Sequence, residues 1–176
     1  MKRALFLGRF QPYHKGHQSV VERIAQEADE IIIAIGSAQW SHDLKNPFTA
    51  GERIMMITRA LEDLPNVKYV LPIEDIQRNP LYVSHIVSLT PLFDVVYTNN
   101  PLVKELFSNA GFKVRSTPLA ERHQYSGTYI RQQLLEDENW RGLVPEGVAH
   151  IIDEIDGVER YRRISHQDTA IPFPME

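Results

Sequence analysis

The fold class is decided by one stretch of the sequence, Ala4-Leu5-Phe6-Leu7-Gly8-Arg9-Phe10-Gln11-Pro12-Tyr13-His14-Lys15-Gly16-His17. Its apolar first four residues predict a buried strand, and the glycine after them predicts a turn. Beyond the turn, apolar residues recur at the spacing of a helix, at Val20, Val21, Ile24, Ala25 and Ala28. The stretch therefore predicts a strand, a turn and a helix in direct succession.

His14 and His17 lie three residues apart, at or just before the first turn of this helix. A helix N-terminus presents unpaired N–H groups and positive partial charge, so it attracts anions. Arg9 and Lys15 lie beside the two imidazoles and sharpen the preference for a polyphosphate. Gly16 costs helical stability unless another group must approach the backbone closely. The pattern favours a phosphate-binding site over a plain surface helix.

A histidine pair at this spacing also occurs on polar helix faces and, less often, in metal sites. A zinc site needs more than two protein ligands. The sequence has no cysteine, and no carboxylate or third histidine lies nearby at ligand spacing. We therefore expect no protein-held metal at this pair.

Length and composition exclude several classes of protein. The 176 residues fit one domain with a hydrophobic core and leave little room for a second catalytic module. A formal net charge of -4 gives no global basic field, so we expect no nucleic-acid partner despite a local cluster at Arg160, Arg162 and Arg163. Zero cysteines exclude disulfides and thiol catalysis. No apolar stretch is long enough for a membrane span or a signal peptide, so we expect a cytoplasmic chain with no membrane partner.

Strand and helix signals alternate along the rest of the chain, which predicts a Rossmann-like, open, mostly parallel α/β sheet of about five strands with helices on both faces. The further strands are predicted at residues 31–35, 67–73, 94–98 and 112–115. Asn79-Pro80 and Asn100-Pro101 each supply a helix N-cap and first helical residue, and Gly111 supplies a left-handed C-cap. We expect one domain over residues 1–164. The tail at 165–176 loses periodicity, and it is either disordered or folded onto a neighbour.

A second helix start has the same chemistry as the first. Gln124-Tyr125-Ser126-Gly127-Thr128-Tyr129-Ile130-Arg131 precedes a predicted helix, with Ser126 or Thr128 as its N-cap. Hydroxyl and free N–H groups can hold phosphate oxygens, and Arg131 can add a guanidinium fork. Taken alone, the segment also fits an ordinary cap with a solvated arginine. Ligands of open parallel sheets collect beyond the carboxyl ends of the strands, so we expect this segment near the first motif.

Together the two motifs resemble the signatures of the nucleotidyltransferase superfamily, H-x-G-H at His14-Lys15-Gly16-His17 and S-x-T-x-x-R at Ser126-Gly127-Thr128-Tyr129-Ile130-Arg131. Within it, the chain is similar to the archaeal-type nicotinamide-nucleotide (NMN) adenylyltransferase family. The further segments that carry this resemblance are Gly8-Arg9-Phe10-Gln11-Pro12, Ser37-Ala38-Gln39, Ser41-His42, Pro47-Phe48-Thr49-Ala50-Gly51-Glu52-Arg53, Asn100-Pro101-Leu102-Val103 and Asp153-Glu154-Ile155-Asp156-Gly157-Val158-Glu159-Arg160. They cover nearly the whole predicted domain.

The resemblance implies the nucleotidyltransferase fold and an enzyme that converts ATP and nicotinamide mononucleotide into NAD and pyrophosphate. The acceptor phosphate would attack the α-phosphorus of ATP directly, with catalytic roles for His14, His17, Arg131 and Arg9. Magnesium would be held mainly through the substrate phosphates. The resemblance also suggests a homo-oligomer. The expected ATP contacts are Gly8, Arg9, Phe10, His14, Gly16, His17, Asn100, Ser126, Gly127, Thr128 and Arg131.

By the same resemblance, the expected acceptor contacts are Gln39, Phe48, Asp75 and Tyr82. Tyr82 stands where relatives can carry tryptophan, and its ring either stacks on nicotinamide or covers the core. Gln39 and Asp75 follow strands, where they either meet the ribose or carboxamide or satisfy loop backbone groups. Trp40 and Phe48 flank a loop that they either close as a lid or pack down. Lys45 stands in that loop where relatives tend to carry arginine.

Two other functions stay open from the sequence. One is a related transferase for another phosphorylated acceptor, such as phosphopantetheine or glycerol phosphate, because the two motifs do not select the acceptor. The other is a nucleotide-sensing domain without catalysis. A class I aminoacyl-tRNA synthetase, which shares the histidine motif, is disfavoured by the chain length and by the lack of a lysine-rich second motif.

Overall fold

Five parallel strands form the sheet at the centre of the computed structural model, which describes residues 1–116, 125–136 and 139–166. The strands are β1 (Arg3–Gly8), β2 (Glu30–Ile35), β3 (Val67–Pro72), β4 (Val95–Tyr97) and β5 (Lys113–Arg115). Their order in the sheet is β3-β2-β1-β4-β5, so the chain builds outward from β1 and then returns to its other side. Such a reversal opens a crevice at the carboxyl ends of β1 and β4. The predicted fold class is confirmed.

Helices cover both faces of this sheet. The α-helices are α1 (Lys15–Ala25), α2 (Ala50–Ala60), α3 (Tyr82–Leu89), α4 (Pro101–Asn109), α5 (Gly127–Glu136), α6 (Glu146–Glu154) and α7 (Gly157–His166). Short 3-10 helices cover Asn79–Leu81 and Trp140–Leu143. Helices α6 and α7 have no predicted counterpart in the sequence. They pack against each other, α6 also packs against α2, and α7 also packs against α5.

Side chains of the central strands alternate between two cores, one on each face of the sheet. On one face, Phe6 and Ile33 pack with residues of α1, α2, α5, α6 and α7. On the other face, Leu5 and Ile32 pack with the buried residues of α3 and α4. Each fully buried side chain of this size stabilises the fold by roughly 1.5–3 kcal/mol. The near-continuous apolar runs of β1 and β2 therefore reflect burial on both faces.

The ends of α4 confirm two predicted caps. The side-chain oxygen of Asn100 accepts hydrogen bonds from the backbone N–H groups of Leu102 at 3.0 Å and Val103 at 3.3 Å. Gly111 adopts a φ of +84° just beyond the helix. Phe112 N then donates to Phe107 O at 3.0 Å, the closing hydrogen bond of a Schellman motif.

The predicted N-cap at Asn79 is wrong. Helix α3 begins at Tyr82, and Asn79 instead opens a 3-10 turn that has no side-chain cap. Proline fits the first turn of a 3-10 helix as well as that of an α-helix, because its missing N–H has no partner in either. The Asn-Pro pair therefore marks a turn here without fixing where the α-helix starts.

At the C-terminal side, α7 continues through His166, past the domain boundary expected at residue 164. Residues 167–176 lie outside the described residues, so the expected tail stays a prediction. The arginine cluster of α7 is paired with carboxylates: Arg160 with Glu52 at 2.7 Å, Arg162 with Glu159 at 2.6 Å and Arg163 with Asp156 at 3.5 Å. None of the described helices combines the length and the apolarity that crossing a membrane requires.

Replacing Gly111 by alanine should lower the free energy of unfolding by about 1 kcal/mol, because an L side chain is strained at positive φ. No atom lies within 4 Å of the position that a Cβ would take, so the cost is conformational rather than a clash. Urea unfolding monitored by circular dichroism measures it.

The matched control is Gly51→Ala, in the first turn of α2 and without close neighbours around its Cβ position. This change should leave stability unchanged or raise it by up to about 1 kcal/mol, since alanine is the better helix former. If Gly111→Ala were as stable as the unchanged protein, the left-handed cap would not contribute as described.

Candidate active site

The two sequence motifs meet at the carboxyl end of β1, as predicted. Arg131 of α5 donates from Nη1 to the backbone oxygen of Gln11 at 2.8 Å. A Cβ built on Gly127 would lie 3.3 Å from that same oxygen, and one on Gly16 would lie 2.8 Å from Tyr125 Cβ. The glycines therefore let the N-termini of α1 and α5 approach one another. This is the close approach that Gly16 predicts.

His14 and His17 hold the start of α1 together. His14 is the N-cap, and its Nδ1 accepts a hydrogen bond from His17 N at 3.3 Å. His17 Nδ1 accepts one from His14 N, also at 3.3 Å. This reciprocal arrangement is a capping box made of two imidazoles. The rings stack with centroids 3.5 Å apart, so each one fixes the position of the other.

Both imidazoles are held in the neutral form. Burial lowers the pKa of His14 to about 4, and only 3% of this residue is exposed. Burial and then the neighbouring His14 lower the pKa of His17 well below its usual value. Because each Nδ1 accepts a backbone N–H, the ring proton of the neutral form is on Nε2. Each histidine is therefore a neutral Nε2–H donor near two helix N-termini.

Aromatic packing supports His17. The Phe10 ring contacts it edge to face at 4.8 Å between centroids, and Tyr13 lies 5.5 Å away. Phe10 is buried and reaches this position with a φ of +53°. The Phe10 ring therefore lies in the core beside His17, and the expected contact of this residue with ATP stays a prediction.

A buried arginine ties the loops of this edge together. Arg53 is fully buried on α2, and its guanidinium donates to the backbone oxygens of Thr49, Arg9, Gly36 and Ser37 at 2.8–3.2 Å. Burial and then the charge of Arg9 lower the pKa of Arg53 to about 10, so the group stays charged at neutral pH. Three of these carbonyls directly follow β1 and β2, and the fourth, that of Thr49, belongs to the N-cap of α2. Arg53 therefore fixes these two loops relative to one another.

A second set of contacts holds the loop at residues 37–49. Arg160 of α7 forms a bidentate ion pair with Glu52 and donates to Pro47 O at 3.2 Å. Tyr161 Oη donates to Leu44 O at 2.9 Å. Side chains of α7 therefore position this loop by binding its backbone carbonyls.

One cavity, of about 370 Å³, lies at the carboxyl ends of β1, β2 and β4; we call it the sheet-edge cavity. Its lining includes Gly8, Arg9, Ser37, Asp75, Tyr82 and Asn100, together with apolar residues of α4. The Tyr82 ring also packs edge to face on Phe107, so this residue both covers the core and faces the cavity. Asn100 lines the same cavity as Tyr82, and its side-chain oxygen is already used as the cap of α4.

A second cavity, of about 540 Å³, lies between α5, α7 and the loop at 37–49; we call it the basic cavity. Arg9, Lys45 and Arg131 line it, with Leu44, Thr128, Gln132, Leu135 and Tyr161. Arg131 is 8% exposed, and its Nη2 donates to Thr128 Oγ1 at 3.3 Å. Ser126 caps α5 by accepting from Tyr129 N at 3.2 Å. Neither His14 nor His17 is among the residues that line these two cavities.

Two of the expected acceptor contacts, Gln39 and Phe48, have partners within the protein, and their contacts with a ligand stay predictions. Gln39 uses its side-chain amide to bind the backbone N and O of Asp75, both at 3.0 Å, so it serves the loop. Phe48 is fully buried, and its backbone is paired with the Gln11 side chain at 2.8 and 3.0 Å. Its ring therefore packs the loop down onto the core. Trp40 is 47% exposed and does not line either cavity.

Arg53 has no predicted role, although its position in the sequence carries a signal. Arg53, Met56 and Ile57 share one face of α2 at helical spacing, and all three are buried. An arginine on an apolar helix face needs buried acceptors, which here are loop carbonyls. Tyr161 was missed because its contact with the loop depends on the packing of α7, which has no signature of its own.

Comparisons with known proteins agree with this geometry. A family model described as cytidylyltransferase-like matches residues 5–133. The chain is 58% identical over 168 residues to a nicotinamide-nucleotide adenylyltransferase of Methanoculleus marisnigri, covering 96% of this chain and 100% of the relative. It is 56% identical over 172 residues to one of Archaeoglobus fulgidus, covering 94% and 99%.

Among solved structures, the fold matches a bifunctional NMN adenylyltransferase/ADP ribose pyrophosphatase from Francisella tularensis with a TM-score of 0.76 at 18% identity. The match covers 94% of this chain and 52% of that one, so the chain spans about half the length of the bifunctional protein. The complex of that enzyme with AMP and a manganese ion matches with a TM-score of 0.70 at 20% identity, over 95% of this chain and 52% of that one. At these identities the likeness concerns the fold alone.

The neutral state of His14 predicts a loss of stability in mild acid. An unfolded histidine has a pKa near 6.5, and burial lowers the pKa of folded His14 to about 4. The unfolded state therefore binds the proton first, and stability falls as pH drops from about 6.5 toward 4. His14→Asn keeps a capping side chain. Between pH 7 and pH 5, its free energy of unfolding should fall by about 2 kcal/mol less than that of the unchanged protein.

Urea unfolding at the two pH values measures this difference. Between pH 7 and pH 8 the two proteins should change by similar amounts, which serves as the internal control. Equal losses between pH 7 and pH 5 would contradict a neutral, buried His14.

Proposed function

Because the chain belongs to the cytidylyltransferase-like family and, within it, to the nicotinamide-nucleotide adenylyltransferases, we propose that it transfers the adenylyl group of ATP to nicotinamide mononucleotide. The products are NAD and pyrophosphate. The high identity to its curated relatives extends over nearly their whole length, which supports this activity for the complete chain.

The single observation that carries the assignment of sites is the position of Arg9. This residue lines both the basic cavity and the sheet-edge cavity. An adenylyl transfer brings the triphosphate of one substrate and the phosphate of the other to one place. A cation shared by two adjoining cavities suits that task, because it can hold both phosphates at once.

ATP binds in the basic cavity under this proposal. Lys45 and Arg131 join Arg9 there and give three positive charges for a triphosphate. The N-termini of α1 and α5 add backbone N–H groups and positive partial charge. The other predicted ATP contacts stay predictions. Thr128 lines this cavity, Gly8 and Asn100 line the sheet-edge cavity, and Phe10, Gly16, Ser126 and Gly127 line neither.

The acceptor binds in the sheet-edge cavity. Tyr82 supplies an aromatic face for the nicotinamide ring. Asp75 supplies a polar group to the same cavity, which Asn100, predicted as an ATP contact, also lines. The phosphate of the acceptor lies toward Arg9, where the two cavities meet.

The reaction needs no nucleophile from the protein. An oxygen of the acceptor phosphate attacks the α-phosphorus of ATP, and the bond from that phosphorus to the bridging oxygen breaks. Pyrophosphate leaves with the electron pair.

Orientation of the substrates can lower the activation barrier by roughly 7–11 kcal/mol. The Nε2–H groups of His14 and His17 would stabilise the charge that develops on the phosphate oxygens, and one such donor is worth about 3–4 kcal/mol.

A divalent cation completes the charge balance. Among residues 1–116, 125–136 and 139–166, no group of three or more His, Cys, Asp or Glu residues could hold a metal ion. The substrate phosphates would therefore be the main ligands of magnesium, which usually keeps few protein ligands in such sites. When bound, the cation neutralises the triphosphate and polarises its oxygens. The expectation of a homo-oligomer stays a prediction.

A panel of acceptors tests the proposed function. The purified chain is incubated with ATP, magnesium and either nicotinamide mononucleotide, phosphopantetheine or glycerol phosphate, and pyrophosphate release and the dinucleotide product are measured. NAD formed from the first acceptor is the expected result. Pyrophosphate released only with another acceptor would assign a related transferase, and ATP binding without any product would assign a nucleotide sensor.

Arg131→Ala should lower kcat/KM for ATP by about 10- to 100-fold, because it removes a charged donor from the triphosphate site. Initial rates over a range of ATP concentrations at saturating acceptor measure this change. Arg131→Lys keeps the charge without the fork and should retain part of the activity.

Arg59→Ala is the matched control, because Arg59 is a half-exposed residue of α2 that lines neither cavity. Its kinetics should equal those of the unchanged protein. An Arg131→Ala variant with an unchanged dependence on ATP would remove Arg131 from the site.

A further inference from the structure

Two cations of the basic cavity are held in different ways. Arg131 is fixed through its own side chain, because its guanidinium donates to Gln11 O at 2.8 Å and to Thr128 Oγ1 at 3.3 Å. Lys45 lines the same cavity from the loop at residues 37–49. The position of its ammonium group therefore depends on how firmly the backbone of this loop is held.

Near Lys45, the loop has little side-chain packing of its own. The side chains of Trp40, His42 and Leu44 are all exposed. The loop returns to the core at residues 46–48, which are buried. Hydrogen bonds to the backbone must therefore hold the segment that contains Lys45.

Two side chains supply hydrogen bonds to this segment. The Asp43 carboxylate accepts from the backbone N–H groups of Lys45 and Asn46, both at 2.7 Å, which makes the turn compact. Tyr161 of α7 attaches the turn to the rest of the fold, because its Oη donates to Leu44 O at 2.9 Å. That carbonyl belongs to the peptide group between Leu44 and Lys45. The bond therefore fixes the backbone from which the Lys45 side chain extends.

Tyr161 is itself held firmly. Its ring is buried in the hydrophobic core, and a tyrosine side chain has only two rotatable torsions, so the hydroxyl has little freedom. Burial raises the pKa of the Tyr161 hydroxyl, and the charge of Arg131 acts on it in the opposite direction. The hydroxyl is therefore a protonated donor at neutral pH. It lies close to Arg131 and is bonded to the loop of Lys45.

We propose that Tyr161 is a positioning residue for the adenylyl transfer: its hydroxyl holds the backbone at Lys45 so that the ammonium group faces the triphosphate of ATP. This inference rests on the proposed function and adds to it a residue that acts on ATP through Lys45. Without the hydrogen bond, Lys45 keeps its charge but samples more positions. Ordering these positions when ATP binds costs affinity.

Tyr161→Phe removes the hydroxyl and keeps the ring, so it tests the hydrogen bond alone. Initial rates of NAD formation are measured over a range of ATP concentrations at saturating nicotinamide mononucleotide. KM for ATP should rise about three- to tenfold, the usual effect of losing one hydrogen bond, while kcat changes by less than about twofold. A purely structural role would lower the active fraction, and with it kcat, and would leave KM for ATP unchanged.

A double-mutant cycle with Lys45→Met identifies the residue through which Tyr161 acts. Lys45→Met alone should raise KM for ATP at least as much as Tyr161→Phe does, because the whole cation is lost. Adding Tyr161→Phe to Lys45→Met should change KM for ATP by less than about twofold, since no ammonium group is left to position. Tyr69→Phe is the matched control, because Tyr69 lies on the edge strand β3 and lines neither cavity. Its kinetics should equal those of the unchanged protein.

The failures are distinguishable. An unchanged KM for ATP in Tyr161→Phe or in Lys45→Met, or a fall in kcat alone, would overturn the inference and leave the proposed function standing. An equal rise in KM for ATP with and without the Lys45 ammonium group would also overturn it, since Tyr161 would then act directly or through Arg131. Absence of NAD formation by the unchanged chain would overturn the proposed function, and this inference with it.

Discussion

The geometry of the site depends on a buried arginine that bonds to backbone rather than to a carboxylate. The guanidinium of Arg53 donates to four carbonyl oxygens, those of Thr49, Arg9, Gly36 and Ser37. Each oxygen is a strong acceptor that would otherwise need water at a crowded edge. Removing such a buried cation leaves the acceptors unpaired, which costs on the order of 1–3 kcal/mol for each buried group. Arg9, the residue shared by both cavities, is thereby held through its own backbone.

Hydrogen bonds from side chains to backbone groups also fix the two helix starts. His14 and His17 cap each other, and Arg131 binds the carbonyl that precedes the turn into α1. The glycines at 16 and 127 let these groups meet. Under the proposed function, an anion site made in this way is fixed before the ligand arrives, which is the condition under which oriented donors lower a barrier. Burial keeps the imidazoles neutral, so the positive field comes from Arg9, Lys45, Arg131 and the helix N-termini.

Much of the fold could be predicted because local signals agreed with the global pattern. In a chain of alternating elements, a short apolar run such as 31–35 predicts a buried strand. The cap at Asn100 and the left-handed Gly111 follow from backbone chemistry. Asn79 shows the limit, since an Asn-Pro pair fits two kinds of helix start. The sequence also shows the two motifs. The reciprocal hydrogen bonds between the histidines could not be predicted, because they form only in the folded turn. Gln39 follows a strand and Phe48 lies in the loop before α2, where a side chain can contact either the protein or a ligand. The contacts that they make within the protein depend on the folded loop, which no local pattern specifies.

Under the proposed function, the chain holds its two substrates in line and adds no covalent step of its own. The stereochemical course at phosphorus distinguishes this direct transfer from a covalent mechanism. ATP carrying sulfur at the α-phosphorus in a single configuration is converted with nicotinamide mononucleotide, and the configuration of the dinucleotide is determined. A direct attack predicts inversion. Retention would show two successive displacements through a protein-bound adenylyl group and would contradict the account.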